Sequence, residues 1–189
     1  MPTKFDPGKK DVLLSPKRRE RLDPDRIISL VPIRPYHTVA DIGCGPGYFT
    51  VPLAKYVSQG KLYALDVQER MLEACREGLA AIHLNNVEVL KCGEKKLPLD
   101  KESLDGAFVA FVLHEATDRK AFLAEAKGAL QKGGWLALLE WYKQEMEEGP
   151  PLGERVSEEE ARELGQEAGL RYVSLRDLNG KNYLMLFRK

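Results

Sequence analysis

Two periods of apolar and polar positions run along this chain, and the changes between them mark out its elements. From Thr38 onward, short apolar runs with period two or no period alternate with stretches whose apolar residues recur every three or four positions. The short runs predict strands at Thr38 to Ile42, Lys61 to Leu65, Val87 to Lys91, Leu104 to Leu113 and Trp135 to Glu140. In the fourth, Phe108 to Val112 is apolar on both faces, as suits a central parallel strand covered by helices on both sides.

The longer-period stretches predict helices. One runs from Phe49 to Val57, its start fixed because Pro52 fits only the first turn. The next, Glu69 to Ala80, gathers Met71, Leu72, Cys75 and Leu79 on one face, and a third, Asp118 to Leu130, ends at Gly133-Gly134. Ser157 and Glu160 form a capping box opening a helix to Ala168, closed by Gly169. Asn179-Gly180 is a hairpin turn, so Arg171 to Leu178 and Asn182 to Phe187 are expected as antiparallel neighbours. The sum is an α/β fold: a doubly wound, mostly parallel seven-stranded sheet finished by an antiparallel hairpin.

Residues 1–37 differ from the rest. They hold many charges and six prolines, and Asp23 followed by Pro24 is a helix start whose apolar face would be Ile27, Ile28, Leu30 and Val31, with Pro32 as its stop. The segment reads as an arm or lid leading into a single domain over residues 38–189. Basic residues cluster here, from Lys9 to Arg21, and acidic ones between Glu145 and Glu160, but 29 Lys and Arg balance 29 Asp and Glu. That balance argues against a protein that coats nucleic acid. No apolar stretch approaches a membrane span and Met1 to Asp6 lacks a signal-peptide run, so a cytoplasmic protein with no membrane partner is expected. Cys44, Cys75 and Cys92, with His37, His83 and His114, show neither disulfide nor zinc spacing, so no metal is expected.

The chemistry concentrates in Asp41-Ile42-Gly43-Cys44-Gly45-Pro46-Gly47, between the first strand and its helix. In a doubly wound sheet ligands bind at the carboxyl ends of strands, and glycines there let the backbone touch the ligand. Asp66 closes the next strand, about 20 residues on, the spacing of a carboxylate that grips ribose hydroxyls. A dinucleotide fingerprint requires a third small residue where this chain has Tyr48. Asp41 in the loop mouth would repel a pyrophosphate and suits a ligand bearing an ammonium and a sulfonium. A phosphate-free, cationic nucleoside cofactor fits better than a nicotinamide dinucleotide.

With these residues the chain resembles the class I S-adenosylmethionine-dependent methyltransferases, in the small branch that includes quinone-biosynthesis C-methyltransferases. The resemblance covers roughly Val39 to Leu139. It implies S-adenosylmethionine as cofactor, its methionine end held by Asp41 and the backbone of Gly43 and Gly45, its ribose by Asp66, and its adenine packed on Val67. Gly93-Glu94 resembles the motif whose acidic residue meets the adenine amino group, where the family usually carries Asp. Phe111 resembles the position whose backbone faces the cofactor's amino acid.

Methyl transfer from a sulfonium is an in-line displacement, dominated by holding donor and nucleophile in line. A general base is needed only where the acceptor must lose a proton. His114, with Glu115 beside it, is the candidate, against the plainer reading of a histidine that borders the pocket passively. Glu140, Trp141 and Tyr142 are expected either to line the acceptor pocket or to be ordinary loop residues. Signatures of exocyclic-amine, cytosine-C5 and arsenic methylation are absent, which leaves a small-molecule acceptor ahead of protein or RNA. A Rossmann-type nicotinamide oxidoreductase and a non-catalytic cofactor binder are the other classes in play.

Overall fold

The computed structural model describes residues 3–189; Met1 and Pro2, which open the N-terminal arm, lie outside the described residues. A seven-stranded sheet runs through the molecule in the order β3-β2-β1-β4-β5-β7-β6. Its strands are β1 (Thr38–Ile42), β2 (Lys61–Asp66), β3 (Val87–Lys91), β4 (Leu104–Ala110), β5 (Leu130–Trp141), β6 (Arg171–Asp177) and β7 (Asn182–Arg188). The first five pair in parallel, and β7 runs antiparallel to both β5 and β6.

Strand periodicity sorts side chains onto two faces. Ala40, Ala107, Val109, Leu136 and Leu138 pack under α6 (Arg119–Ala129) and α7 (Glu158–Glu167). Val39, Phe108, Trp135, Ala137 and Leu139 join Leu53 and Ala54 of α4 (Thr50–Tyr56) on the other face. There α5 (Glu69–Ala81) adds Leu72, Cys75 and Leu79 against Ala64. The same face receives Leu22, Ile27, Ile28, Val31 and Ile33 from the N-terminal segment, all buried. Before them lie a 3-10 turn at Pro7–Lys9 and two short helices, α1 (Lys10–Leu13) and α2 (Pro16–Arg21), none with a buried residue. Then comes α3 (Pro24–Ser29), capped as expected by Asp23 onto the amides of Asp25 and Arg26.

The expected boundaries that move most lie around β4 and β5. The fourth strand stops at Ala110 instead of Leu113, because Phe111 takes φ 61° and turns the chain into a 3-10 turn over Leu113–Glu115. Apolar content alone cannot mark such an end, since Phe111, Val112 and the buried Leu113 continue the apolar run past it. The sixth helix ends at Ala129, and β5 starts at once, pairing Leu130 with Leu104. Gly133-Gly134 therefore bends the start of that strand and does not cap the helix. In α7, Ser157 Oγ accepts the amide of Glu160 as a capping box requires, but the Glu160 carboxylate pairs with Arg119.

Strand order reverses between β1 and β4, and the crevice at their carboxyl ends is the site expected of such a sheet.

Candidate functional site

The glycine loop leaves β1 at this reversal. The amides of Gly43 and Cys44 both donate to the Leu65 carbonyl, at 2.7 and 2.9 Å, tying the loop to the end of β2. Gly43 has φ 76°, and a Cβ there would fall 2.2 Å from Val112 Cγ2. Only glycine lets the ends of β1 and β4 approach this closely. Around the loop opens a cavity of about 760 Å³, lined from β1, β2, the β3 end, the β4 end and the N-terminal segment.

Carboxylates form one side of it. Asp41 is buried, with Thr50 donating to Oδ2 at 2.6 Å, and its carboxyl is pushed up to about 7 by burial, against the Thr50 hydrogen bond and helped by the charge of Asp66. Asp66 accepts the amides of Gly45 at 2.9 Å and Gln68 at 2.8 Å; burial again raises its carboxyl, against those amide hydrogen bonds. Val67, Gly93 and Glu94 continue along the same wall. Glu94 is engaged by the arm: Lys4 forms an ion pair with it and Thr117 Oγ1 donates to it at 3.0 Å, both holding its carboxyl below the usual range. All eight residues singled out for the cofactor thus border one cavity. Such a wall fits a nucleoside with a cationic amino-acid end: it offers acceptors for hydroxyls and an ammonium and a backbone open at Gly45, while the amides of Gly43, Cys44 and Gly45, which could cradle a phosphate, are taken by Leu65 and Asp66.

His114 lies across the cavity on the turn after β4. It is buried at 5% exposure, and its Nδ1 lies 2.8 Å from Glu140 Oε2 and 3.1 Å from Oε1. Glu140 is fully buried and also accepts the amides of His114 at 3.2 Å and Trp141 at 3.3 Å. A carboxylate so placed accepts a hydrogen bond from Nδ1–H, which leaves Nε2 as the ring's acceptor. Burial alone would lower the His114 pKa, but the charge and hydrogen bond of Glu140, with Glu115 and Glu154 adding, carry it above the ordinary value. Glu115 accepts the Phe5 amide at 3.2 Å, and burial pushes its carboxyl up to about 7 against the nearby His114.

Of Glu140, Trp141 and Tyr142, at the end of β5, only Trp141 borders the cavity. Glu140 points behind His114, and Tyr142 packs on Tyr183 at 5.3 Å. The Glu140 partnership was not readable from sequence, since its register with the end of β4 depends on how β4 and β5 pair. The segment before Thr38 was expected as an arm or lid, but the residues through which it meets the site were not singled out. Arg18 sits over the rings of Tyr48, at 4.6 Å, and Phe111, at 5.4 Å. Arg21 pairs with Glu148 and lies 5.1 Å over Trp141. Tyr48 itself, standing where a dinucleotide site needs a small residue, donates from its hydroxyl to the Leu22 carbonyl at 2.7 Å.

Comparison with known proteins gives four consistent matches. Residues 40–138 match the family model described as a methyltransferase domain. The ubiquinone/menaquinone biosynthesis C-methyltransferase of Marinomonas sp. strain MWYL1 is 33% identical over 122 residues, 64% of this chain and 49% of that protein. A demethylmenaquinone methyltransferase of Bacillus cereus strain ATCC 10987 is 30% identical over 112 residues, 59% of this chain and 47% of that protein. The chain therefore spans about half the length of the curated relatives it matches. The crystal structure of a SAM-dependent methyltransferase from Aquifex aeolicus superimposes with a TM-score of 0.93 at 35% identity, covering 98% of this chain and 99% of that one.

Proposed function

The chain belongs to the S-adenosylmethionine-dependent methyltransferase family, and from that premise we propose that it passes the methyl group in line to a small-molecule acceptor held between the β4 end, Trp141 and the N-terminal arm. The observation that carries this reading is the arm's closure over the cavity. Thr3 Oγ1 donates to Glu154 at 2.9 Å, the Phe5 amide to Glu115, and Gln68 Nε2 to the Phe5 carbonyl at 3.0 Å. A volume of about 760 Å³ under such a cover suits a small ligand beside a nucleoside, and not a polypeptide or folded RNA. The names of the Marinomonas and Bacillus relatives support a quinol-like acceptor, planar and apolar with an acidic proton.

S-adenosylmethionine, when bound, would supply an electrophilic methyl group; Asp66 would hold its ribose hydroxyls, Asp41 would offer a negative charge to its cationic end, and the Gly43–Gly45 backbone would line its approach. His114 Nε2, with Nδ1 held on Glu140, accepts the acceptor's proton as the nucleophile forms. Trp141 and Phe111, with ring centroids 5.4 Å apart, keep water from that face.

The test is methyl transfer from labelled S-adenosylmethionine to a panel of reduced quinols and phenols, beside peptides and RNA. Turnover of members of the small planar class alone is the expected result. Turnover of peptide or RNA alone would make the acceptor a macromolecule.

A further inference from the structure

Among the described residues bordering this cavity, Arg18 is the one part-buried cation without an ion pair; Lys9 and Lys95, also unpaired, are exposed. Arg21 is paired with Glu148, Lys4 with Glu94, and Lys17 lies 3.9 Å from Glu148 on the surface. Among the described residues no carboxylate comes within ion-pair distance of Arg18. One of its five N–H groups, on Nη1, reaches the Leu13 carbonyl at 3.3 Å. The guanidinium is nevertheless set firmly, between the rings of Tyr48 and Phe111, and those rings are fixed in turn by Leu22 and Trp141. Its desolvation lowers the Arg18 pKa to about 10, against the Tyr48 hydroxyl and with Arg21 adding. Desolvating an unpaired charge costs stability, and a guanidinium held over two rings keeps its fork of donors free for a planar bidentate partner.

We propose that Arg18 is a carboxylate-binding residue, and that a ligand carboxylate on it latches helix α2 of the arm over the cavity. The charge layout selects that anion. Asp41 and Asp66 across the cavity repel a multiply charged phosphate, whereas a planar, singly charged carboxylate matches the guanidinium fork. Two sources share this chemistry: the methionine carboxylate of the cofactor, and an acid group on the acceptor. Either one couples ligand binding to closure, because α2 carries the cation, has no buried residue, and is anchored at its C-terminal end through Arg21, on Glu148 and under the Asn179 amide.

The inference rests on the methyltransferase reading, and binding measurements separate the two. Wild type, Arg18→Gln and Arg18→Lys are titrated by calorimetry with S-adenosylmethionine and with its decarboxylated analogue. Benzoate and benzyl alcohol are then titrated into each protein, free and saturated with S-adenosylhomocysteine. A cofactor carboxylate on Arg18 predicts a loss of about 10- to 100-fold for S-adenosylmethionine in Arg18→Gln, partly restored in Arg18→Lys, with the decarboxylated analogue unaffected. An acceptor carboxylate predicts unchanged cofactor affinity and benzoate binding, absent for benzyl alcohol, that Arg18→Gln removes. Unchanged affinities for both ligands in Arg18→Gln, or no discrimination by charge, overturn the proposal. Should wild type bind neither nucleoside, the methyltransferase reading falls, and the benzoate titration of the free protein still decides the role of Arg18. Thermal unfolding of each variant checks that the fold is intact.

Discussion

Asp41 lies under the glycine loop with its carboxyl near 7, close to half-protonated at neutral pH before any ligand arrives. A carboxyl raised above its unfolded value stabilises the fold when protonated, and that contribution is lost as pH rises through about 7. A cationic ligand demands the ionised form. Cofactor affinity is therefore expected to rise between roughly pH 6 and pH 8, with protons released on binding below pH 7. Calorimetry in buffers of different ionisation enthalpy reads that release directly. Asp41→Asn should abolish the proton release, weaken the cofactor and leave the Thr50 hydrogen bond in place. The His114–Glu140 pair runs the other way in charge. Glu140, with Glu115 and Glu154 adding, holds the His114 pKa up against burial, and a base must be neutral to work, so activity should climb through that raised pKa. In Glu140→Gln the acidic limb of the kcat profile should move to lower pH while the plateau falls. His114→Asn should lower kcat by about 10²- to 10⁴-fold for a proton-losing acceptor and spare cofactor affinity. An unmoved limb in Glu140→Gln would leave that carboxylate a structural role alone.

Between β4 and β5 the site depends on one close packing. A Cβ on Gly106 would sit 2.0 Å from the Trp135 ring, which is wholly buried. Gly106→Ala is expected to cost about 1–3 kcal/mol in denaturant unfolding, by pushing β4 away from β5. It should also disturb Glu140 behind His114, five residues beyond Trp135 on the same strand. Strands and helices were legible in the sequence because their periods differ, and the loop because glycine and carboxylate types are so restricted there. The turn at Phe111 was not legible. A non-glycine residue at φ 61° is imposed by the Leu139 carbonyl, which holds the Phe111 amide at 2.8 Å, and by the packing beyond it. The Asp66 position could be read from spacing along the chain, whereas Glu140 facing His114 and Arg18 facing Tyr48 are meetings across 26 and 30 residues that spacing cannot encode.

Across the molecule, the sheet supplies the fixed deck and the N-terminal segment the cover. The two parts of that segment are held differently: residues 22–33 are sealed into the core, while residues 3–13 attach through polar contacts at Glu94, Glu115, Glu154 and Gln68. Polar, solvent-edged contacts of this kind open at little cost, as a cover that admits ligand must. Removing residues 1–14 should leave the thermal midpoint close to that of the full chain, because no described residue there is buried. Acceptor turnover should fall by about tenfold or more as water enters the site. A large fall in the midpoint instead would make the cover part of the fold.

At every scale the chemistry rests on a cationic nucleoside held by the carboxylate-bearing glycine loop and Asp66. Calorimetric titration of the purified protein with S-adenosylmethionine, S-adenosylhomocysteine and NAD, beside Asp66→Ala, tests that directly. Binding of the first two, weakened by about 10- to 100-fold in the variant and absent for NAD, is the predicted result. Binding of NAD alone, or nucleoside binding indifferent to Asp66, would contradict it.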